Sequence, residues 1–390
     1  MFIWKKFGYR LLANDWQPLS RQYFVDKLAS NQIFDPRTVK VFCKKAKCLF
    51  KKKINLAFAM TEKSKLRVID IQSHVIPKSY RDFLLKNREI PNMRRSSNKY
   101  FLWYANDLKY SIDEQMFSSD VKIKAMKNAG IDMQILSIAM PGVDFLDPEN
   151  GVRLAKKIND DISEIVDEHP HAFLGLATLP LQSVGDAIDE LERAVKDLDL
   201  RGVEVFSNVA GKTLDDDAFM PFYKKVMKLD VPIFLHPTKP LMYKAMKKYG
   251  LLGAVGYLFD TTLAILEIVL GGVLEKNEKL KIILPHCGST IPYLIGRIDH
   301  QFSMNEESRK KISKPPSEYL KLLYFDTAQA FYKPAFDCCN AFSDKNKLMF
   351  GTDYPFANLK ESRDFLESII EEKNKKAIFH LNAERLFKIR

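Results

Sequence analysis

The segment VIDIQSH (68–74) is a short, mostly apolar run, the first of a series that determines the fold. Seven further runs follow it: DMQILSIA (132–139), AFLGLATLP (172–180), RGVEVFS (201–207), VPIFLHP (231–237), KIILPHC (281–287), LLYFDTA (322–328) and LMFGTDYP (348–355). Short apolar runs between turn residues are typical of buried strands. Because eight parallel strands close a (β/α)8, or TIM, barrel, the series predicts this fold.

Helix-like segments separate these runs. In SSDVKIKAMKNAG (118–130) and SVGDAIDELERAVKDL (183–198), for example, apolar residues recur every three or four positions, which predicts amphipathic helices. Strands that alternate with helices predict an α/β fold with a parallel sheet. The insert of about fifty residues at 78–126, between the first two strands, is unusually long. Because βα loops cover the active-site end of a barrel, we expect this insert to be a lid.

The positive charge of the chain is concentrated at its N-terminus. The formal net charge is +12, from 61 basic and 49 acidic residues, and residues 1–59 hold 13 of the basic and 3 of the acidic ones. The remaining 48 basic and 46 acidic residues nearly balance. We therefore expect residues 1–59 to be a basic extension, either disordered or a gene-model extension, and residues 60–390 to form the barrel domain.

The composition favours a reducing, cytoplasmic location. Five irregularly spaced cysteines in 390 residues predict no disulfide framework, and neither a secretory signal nor an apolar run near 18 residues is visible. Organelle targeting by residues 1–59 is the weaker alternative, because the segment lacks serine enrichment and a clear amphipathic helix. The run KKAKCLFKKK (44–53) is interpreted as a solvated arm, so neither a nucleic-acid nor a membrane partner is expected.

Four titratable residues lie at the C-terminal ends of predicted strands: His74, His236, His286 and Asp353. A single histidine at a strand end is usually a packed or exposed residue, but four such groups form a pattern. Closing the barrel would bring them around one cavity, at the end where barrel enzymes keep their active sites. Imidazole nitrogens and a carboxylate suit a divalent transition metal, so the sequence predicts a metal centre.

A set of motifs resembles those of a known protein family. The segments IDIQSHVIP (69–77), FLHP (234–237), GGVLEKNEKLKIILPHCGSTIPYLIGRIDH (271–300), FGTDYPF (350–356) and LNAERLF (381–387) occur in this order. Together they resemble the amidohydrolase superfamily, specifically the branch similar to aminocarboxymuconate semialdehyde decarboxylase. The resemblance covers about 60–390 and leaves out only the basic extension at 1–59. It implies a barrel of the metal-dependent hydrolase type.

The resemblance implies the metal ligands residue by residue. Gln72 and His74 occupy the two ligand positions of the strand-one HxH motif. His236 matches the strand-five ligand, and Asp353 matches the strand-eight aspartate, which also takes part in catalysis. Since glutamine offers a neutral amide oxygen in place of an imidazole, we expect Zn²⁺ first, with Mn²⁺ as the harder alternative.

The resemblance also implies the reaction, which is the decarboxylation of a small unsaturated or aromatic carboxylic acid. The metal would act as a Lewis acid and His286 would transfer the proton. Arg297 matches an arginine that reaches the site of a neighbouring subunit and binds a substrate carboxylate, which implies a homodimer. The first alternative is a hydrolase of an amide, lactone or ester, in which Asp353 activates a metal-bound water. The second is an inactive or metal-poor relative that acts as a binding protein.

Several positions depart from the family pattern. Cys287 and Ser289 stand where glycines are usual. Tyr110, or a neighbour, stands where the aminocarboxymuconate enzyme supplies a second carboxylate-binding arginine, and HPTKP (236–240) lacks the indole that follows the strand-five histidine. These departures predict a different substrate from that of the aminocarboxymuconate enzyme.

Overall fold

The computed structural model describes residues 66–97, 99–105 and 108–389. The predicted basic extension at 1–59 and its boundary at residue 60 lie outside these described residues. The strands of the described part are β1 (Ile69–Val75), β2 (Asn92–Ser96), β3 (Lys99–Ala105), β4 (Leu108–Ile112), β5 (Met133–Ile138), β6 (Phe173–Gly175), β7 (Val203–Phe206), β8 (Ile233–His236), β9 (Ile282–Leu284), β10 (Tyr324–Asp326) and β11 (Leu348–Met349). All eight predicted strands are present, as β1 and β5–β11.

These eight strands close into a barrel. β1, β5 and β6 form one parallel sheet, and β7 to β11 form a second. At one seam Ala177 N donates to Gly202 O (2.9 Å), and Glu204 N donates to Ala177 O (3.0 Å). At the other seam Ile71 N donates to Phe350 O (3.0 Å). The backbone hydrogen bonds thus join both pairs of sheet edges, and the predicted (β/α)8 architecture is confirmed.

Helices follow the barrel strands and cover the outside. They are α1 (Lys78–Lys86), α2 (Ser119–Ala129), α3 (Pro148–Glu168), α4 (Val184–Lys196), α5 (Met220–Leu229), α6 (Tyr257–Leu270), α7 (Val273–Lys276), α8 (Ile291–Met304), α9 (Glu306–Lys311), α10 (Pro316–Leu320), α11 (Lys333–Phe342), α12 (Leu359–Ile369), α13 (Glu372–Lys376) and α14 (Asn382–Phe387). Their ends follow from local chemistry. The Ser118 side chain caps α2, which ends at Gly130 in the left-handed region (φ +68°), where glycine is favoured.

One outer helical segment is strongly apolar. Among the described residues, Leu252–Leu270 is long and apolar enough to cross a bilayer, with a mean hydropathy of 1.6, although the sequence analysis expected no spanning segment. Half of this segment is buried in the protein, and Ile265 and Val269 belong to the core beneath it. Core helices of soluble proteins pass the same test, so the segment is weak support for a membrane span.

The barrel interior is filled with apolar side chains. One buried cluster inside the strands contains Ile69, Ile71, Met133, Ile135, Leu176, Phe234, Ile283 and Met349. Burying one such side chain contributes about 1.5–3 kcal/mol. The packed cluster leaves the C-terminal ends of the strands as the place where polar groups gather.

The insert between β1 and β5 forms α1, an antiparallel sheet of β2, β3 and β4, and α2. Leu102 and Ile112 of this sheet are buried in the core. The hydroxyl of Tyr104 on β3 hydrogen-bonds with the hydroxyl of Thr238, which follows β8. The insert therefore reaches the C-terminal end of the barrel, as expected for a lid.

Candidate metal centre

Three of the predicted metal ligands meet at the C-terminal end of the barrel. His74 Nε2 lies 3.0 Å from Asp353 Oδ1, and His236 Nε2 lies 3.9 Å from the same oxygen. One ligand atom from each residue lies within 4.8 Å of the others. All three are buried, with exposed fractions of 0%, 2% and 5% for His74, His236 and Asp353. These groups are therefore close enough to share one ion.

The backbone around β1 and β11 holds two of these ligands in place. The pairing of β1 with β5 shifts register between Asp70 and Ser73, and such irregularities re-aim side chains near active sites. The carboxylate of Asp70 accepts from Thr352 N (2.9 Å) and Thr352 Oγ1 (2.7 Å), which ties β1 to the segment that carries Asp353. Asp353 has φ +65°, a strained backbone conformation that costs about 1–3 kcal/mol. The hydrogen bonds between Thr352 and Asp70 help to hold it.

His286 lies beside the cluster. Its Nε2 is 3.6 Å from Asp353 Oδ2, and its backbone N donates to Asp326 Oδ1 (2.8 Å). Burial lowers the pKa of His286, but the hydrogen bond and charge of Asp353 raise it by more, so the net shift is upward. A buried imidazole that is readily protonated can serve as a proton donor.

The backbone of the turn that carries His286 explains why the family usually has glycines at the positions of Cys287 and Ser289. His286, Cys287 and Ser289 all have positive φ angles, of 57°, 53° and 56°. Glycine adopts such angles with little strain, which accounts for the glycines usual at these positions in the family. In this chain Ser289 Oγ hydrogen-bonds with Thr261 Oγ1 on α6 (2.6 Å), so a side-chain contact holds the strained turn.

Gln72 also faces the cluster. It is buried, and its Nε2 lies 3.1 Å from Asp353 Oδ1 and 3.4 Å from His286 Nε2. Its Oε1 is buried without a hydrogen-bond partner. The structure thus brings Gln72 to the centre with its amide nitrogen, and not its oxygen, toward the carboxylate.

The protonation states fit a cation. Burial raises the pKa of Asp353, but its interactions with the neighbouring imidazoles of His236, His286 and His74 lower it by more, to well below its usual value. Burial lowers the pKa of His236, and the charge of His74 adds to the effect. The Nε2 of His236 is buried and has no hydrogen-bond partner. An ionised carboxylate and a neutral imidazole with an unused nitrogen are what a divalent metal requires, so these residues fit such an ion.

Several polar residues around the site were not predicted from the sequence. Glu204 on β7 is buried, and its Oε1 accepts from Ser137 Oγ (2.7 Å), which lies 3.2 Å from His74 Nδ1. Burial raises the pKa of Glu204 to about 7, against the effect of His236. Gln329 Nε2 donates to Asp353 Oδ2 (2.6 Å). The available signal for Glu204 was an acidic residue within the apolar run RGVEVFS (201–207), since a carboxylate is rarely buried without a role.

Arg297 lies apart from this cluster. It is exposed on α8 and lines a cavity of about 530 Å³ together with Leu266, Leu270 and Leu294. None of the metal-centre residues lines this cavity. A role for Arg297 in catalysis would therefore require a second subunit, as the resemblance implies.

A second cavity adjoins the metal centre. It has a volume of about 620 Å³, within the range of small-molecule sites, and among the described residues its lining includes His286, Ser289 and Gln329 but no lysine or arginine. Aromatic rings flank the ligands themselves. The Phe356 ring lies 5.8 Å from the His74 ring, and the Phe206 ring lies 6.0 Å from the His236 ring, centre to centre.

Tyr110 of the lid lies close to this aromatic wall. Its ring is 6.2 Å from the Phe356 ring, and its hydroxyl contacts the hydroxyl of Tyr257. The predicted replacement of a carboxylate-binding arginine thus stands near the site, where it offers an aromatic ring and a hydroxyl group.

Comparisons with known proteins agree with this geometry. The chain is 30% identical over 304 residues to 2-amino-3-carboxymuconate-6-semialdehyde decarboxylase of Dictyostelium discoideum, covering 74% of this chain and 81% of that protein. It is 31% identical over 291 residues to gamma-resorcylate decarboxylase of Rhizobium sp. (strain MTP-10005), covering 69% and 87%. A dihydroxybenzoic acid decarboxylase from Polaromonas sp. JS666, solved with bound manganese and the inhibitor 2-nitroresorcinol, has a TM-score of 0.70 at 26% identity, covering 83% and 97%.

The family profile described as Amidohydrolase matches residues 69–389, which span the whole barrel and every residue of the metal centre. Because this match covers most of the chain and the similar proteins above are decarboxylases of the same barrel type, the chain belongs to the amidohydrolase family.

Proposed function

We propose that this protein is a metal-dependent decarboxylase of a small aromatic carboxylic acid. The observation that carries the proposal is the convergence of His74, His236 and Asp353, with His286 beside them, at one end of the barrel. The similarity to gamma-resorcylate decarboxylase, whose substrate is an aromatic acid, supports the substrate class. The aromatic rings of Phe206 and Phe356 next to the ligands suit a flat ring.

In this proposal His74, His236 and Asp353 hold the divalent ion. When bound, such an ion acts as a Lewis acid toward the oxygens of a substrate. The chain itself contributes a buried site from which water is largely excluded, where electrostatic interactions are strong. Asp353 enters this site ionised, because its three histidine neighbours hold its pKa well below the usual value.

His286 is the proposed proton donor. When the bond between the ring carbon and the carboxyl carbon breaks, CO₂ leaves and the electron pair stays on the ring carbon. His286 Nε2 then delivers a proton to that carbon. The upward pKa shift caused by Asp353 favours the protonated imidazole that this step requires.

We propose Mn²⁺ as the ion, ahead of the Zn²⁺ that the sequence analysis placed first. Rotating the Gln72 amide would turn its unpaired oxygen toward the cluster, and oxygen donors suit Mn²⁺ better than Zn²⁺. The manganese in the Polaromonas decarboxylase supports the same choice. In a Gln72→His variant the added imidazole should raise zinc affinity if residue 72 is a ligand, measured by competition with a zinc chelator. Unchanged zinc affinity would remove Gln72 from the ligand set.

We also propose that the protein is a cytoplasmic homodimer. Leu251, Val255, Phe259 and Leu263, spaced four residues apart, are each 37–45% exposed, and such apolar stripes commonly mark interfaces. Among the described residues the cavity at His286 has no lysine or arginine, so Arg297 of a second copy would supply the group that binds a substrate carboxylate.

The test combines metal analysis with a substrate screen. The purified protein is analysed for metal and loaded with Mn²⁺ or Zn²⁺. It is then incubated with hydroxybenzoic and unsaturated carboxylic acids while CO₂ release is followed. We expect CO₂ release from at least one hydroxybenzoic acid, and its loss after chelation. A parallel screen of lactones, esters and amides tests the hydrolase alternative.

Each result has a clear meaning. Hydrolysis without CO₂ release would replace the decarboxylase proposal with the hydrolase one. The protein could also bind neither Mn²⁺ nor Zn²⁺, or bind metal and act on neither the carboxylic acids nor the lactones, esters and amides. Either result would support the alternative of an inactive binding protein.

A further inference from the structure

A carboxylate is buried in the barrel just behind the metal ligands. Glu204 is 4% exposed, and it pairs across the sheet with Phe234, a member of the apolar interior cluster. Its Oε2 is buried and has no hydrogen-bond partner. A buried carboxylate that lacks a donor destabilises a fold, so its presence calls for an opposing positive charge or a functional role.

The other oxygen of Glu204 begins a directed chain of hydrogen bonds. Ser137 Oγ donates its proton to Glu204 Oε1 (2.7 Å). Having given up its only hydrogen, the Ser137 hydroxyl can only accept at its 3.2 Å contact with His74 Nδ1. Ile138 O, which also only accepts, lies 3.3 Å from the same nitrogen. Both contacts therefore require the proton of His74 to reside on Nδ1.

This proton position determines what His74 presents to the metal centre. When the ring is neutral and its proton is on Nδ1, Nε2 carries a lone pair that can bind an ion; this atom lies 3.0 Å from Asp353 Oδ1 at the centre. Glu204 Oε1 lies 3.9 Å from His74 Nδ1, behind the ring as seen from the metal centre. Partners of this kind orient a ligating histidine and make it a stronger donor.

We propose that Glu204, acting through Ser137, is a positioning residue that holds His74 as a metal ligand and adds a negative charge behind it. The inference rests on the proposed metal site and deepens it. It assigns a role to two residues, Ser137 on β5 and Glu204 on β7, that touch neither the ion nor the substrate.

Other buried carboxylates show that burial alone does not imply this role. Asp70 accepts hydrogen bonds from Thr352 and Gln134 at both of its oxygens. Glu190 on α4 accepts from Asn159 and Arg193. Glu204 differs, because one oxygen is left without a donor and the other is linked to a metal ligand.

The test compares metal affinity with stability. In Glu204→Gln we expect the affinity for Mn²⁺ and Zn²⁺, measured by chelator competition, to fall about tenfold to a hundredfold. At pH 9, above the pKa of Glu204, the metal-free variant should be at least as stable as the wild type, because a buried carboxylate is removed. Glu190→Gln is the matched control, which should lose stability and keep its metal affinity. Ser137→Ala should also lower the affinity for metal. It provides the test if Glu204→Gln does not fold.

A spectroscopic measurement tests the tautomer directly. In the zinc-loaded wild type, ¹⁵N-resolved NMR should show the His74 proton on Nδ1, and in Ser137→Ala this signal should weaken or exchange faster. If the wild type binds metal and both variants bind it within about twofold of wild type, the role of Glu204 is overturned while the metal site stands. If the wild type binds no metal, both proposals are overturned.

Discussion

Asp353 is the residue on which the site converges. It lies within 4 Å of His74, His236 and His286, and it also accepts from Gln72 and Gln329. The histidines lower its pKa while it raises that of His286, so one carboxylate influences the charge of both the proposed ligands and the proposed proton donor. Ligand and proton donor should therefore respond differently to mutation.

A graded series of variants separates the two roles. Asp353→Asn and His236→Ala should lower metal content and abolish turnover, because each removes a proposed ligand. His286→Ala should keep most of the metal yet lose about 10²–10⁴ in rate, because it removes only the proton donor. Metal analysis and CO₂ release on the same samples check this. The exposed His171→Ala is the control, and normal metal content and turnover in all three site variants would end the assignment.

At the level of elements, the lid is attached to the barrel by hydroxyl contacts. Tyr104 on β3 reaches Thr238 after β8, and Tyr110 on β4 reaches Tyr257 on α6. Thr238 N also donates to Asp260 Oδ2 (3.2 Å). These contacts connect a small antiparallel sheet to the loop that follows a proposed metal ligand, so the lid position should influence substrate binding.

Removing one of these contacts should loosen the lid. Tyr104→Phe loses a buried hydrogen bond that contributes about 0.5–1.5 kcal/mol. We expect faster hydrogen exchange in β2–β4 and a KM raised severalfold, with metal content unchanged. Tyr100→Phe is the matched control, since the ring of Tyr100 packs on Phe117 of the insert. Equal exchange and equal KM in Tyr104→Phe and the wild type would show that this bond does not hold the lid.

The packing of α2 on β1 depends on a buried lysine. Lys122 Nζ donates to Ser73 Oγ and His74 O, each at 3.0 Å, and lies 4.4 Å from the centre of the Tyr354 ring. Burial lowers the pKa of Lys122 from 10.5 to about 7, and the charge of Asp70 only partly opposes it. The ammonium form is thus disfavoured in the folded protein.

This shift predicts how stability depends on pH. Between pH 7 and 10.5 the unfolded chain binds more protons at Lys122 than the folded chain, so its contribution to stability increases as pH rises through this window. The slope is at most about 1.4 kcal/mol per pH unit. Urea unfolding of the metal-free protein at pH 7, 8 and 9 should show a steeper rise for the wild type than for Lys122→Met. Identical slopes would contradict the shift.

At the scale of the whole molecule, the location of Arg297 is informative. It is exposed on α8 and lines a cavity that none of the residues of the metal centre lines, so we propose that it acts at the site of a second subunit. In a homodimer, each site would draw on residues of both subunits. Such sharing can be tested by mixing defective chains.

Mixed dimers should recover activity. Arg297→Ala and His286→Ala should each be inactive alone, but a mixed dimer contains one site with both residues intact. Random exchange of subunits should therefore restore about a quarter of the wild-type activity. Light scattering establishes the dimer, and CO₂ release measures recovery. An inactive mixture, despite demonstrated subunit exchange, would place Arg297 outside the active site.

The barrel and the titratable residues that cluster at its C-terminal end were predictable from local sequence. Strand runs such as VPIFLHP (231–237) and the polar residue at their ends are recognisable because strand pairing depends on short-range apolar patterns. The observed strands are often shorter than predicted, as in Phe173–Gly175 within 172–180, because buried apolar residues continue beyond the last paired positions.

Thus the sequence alone determined the βα order, the number of strands and the strand ends that carry His74, His236, His286 and Asp353. Only the tertiary structure decided which further polar groups meet them. Glu204 on β7 joins His74 on β1 through Ser137 on β5. The physical reason is that periodicity acts over a few residues, whereas these contacts depend on barrel closure, register and side-chain direction between distant segments.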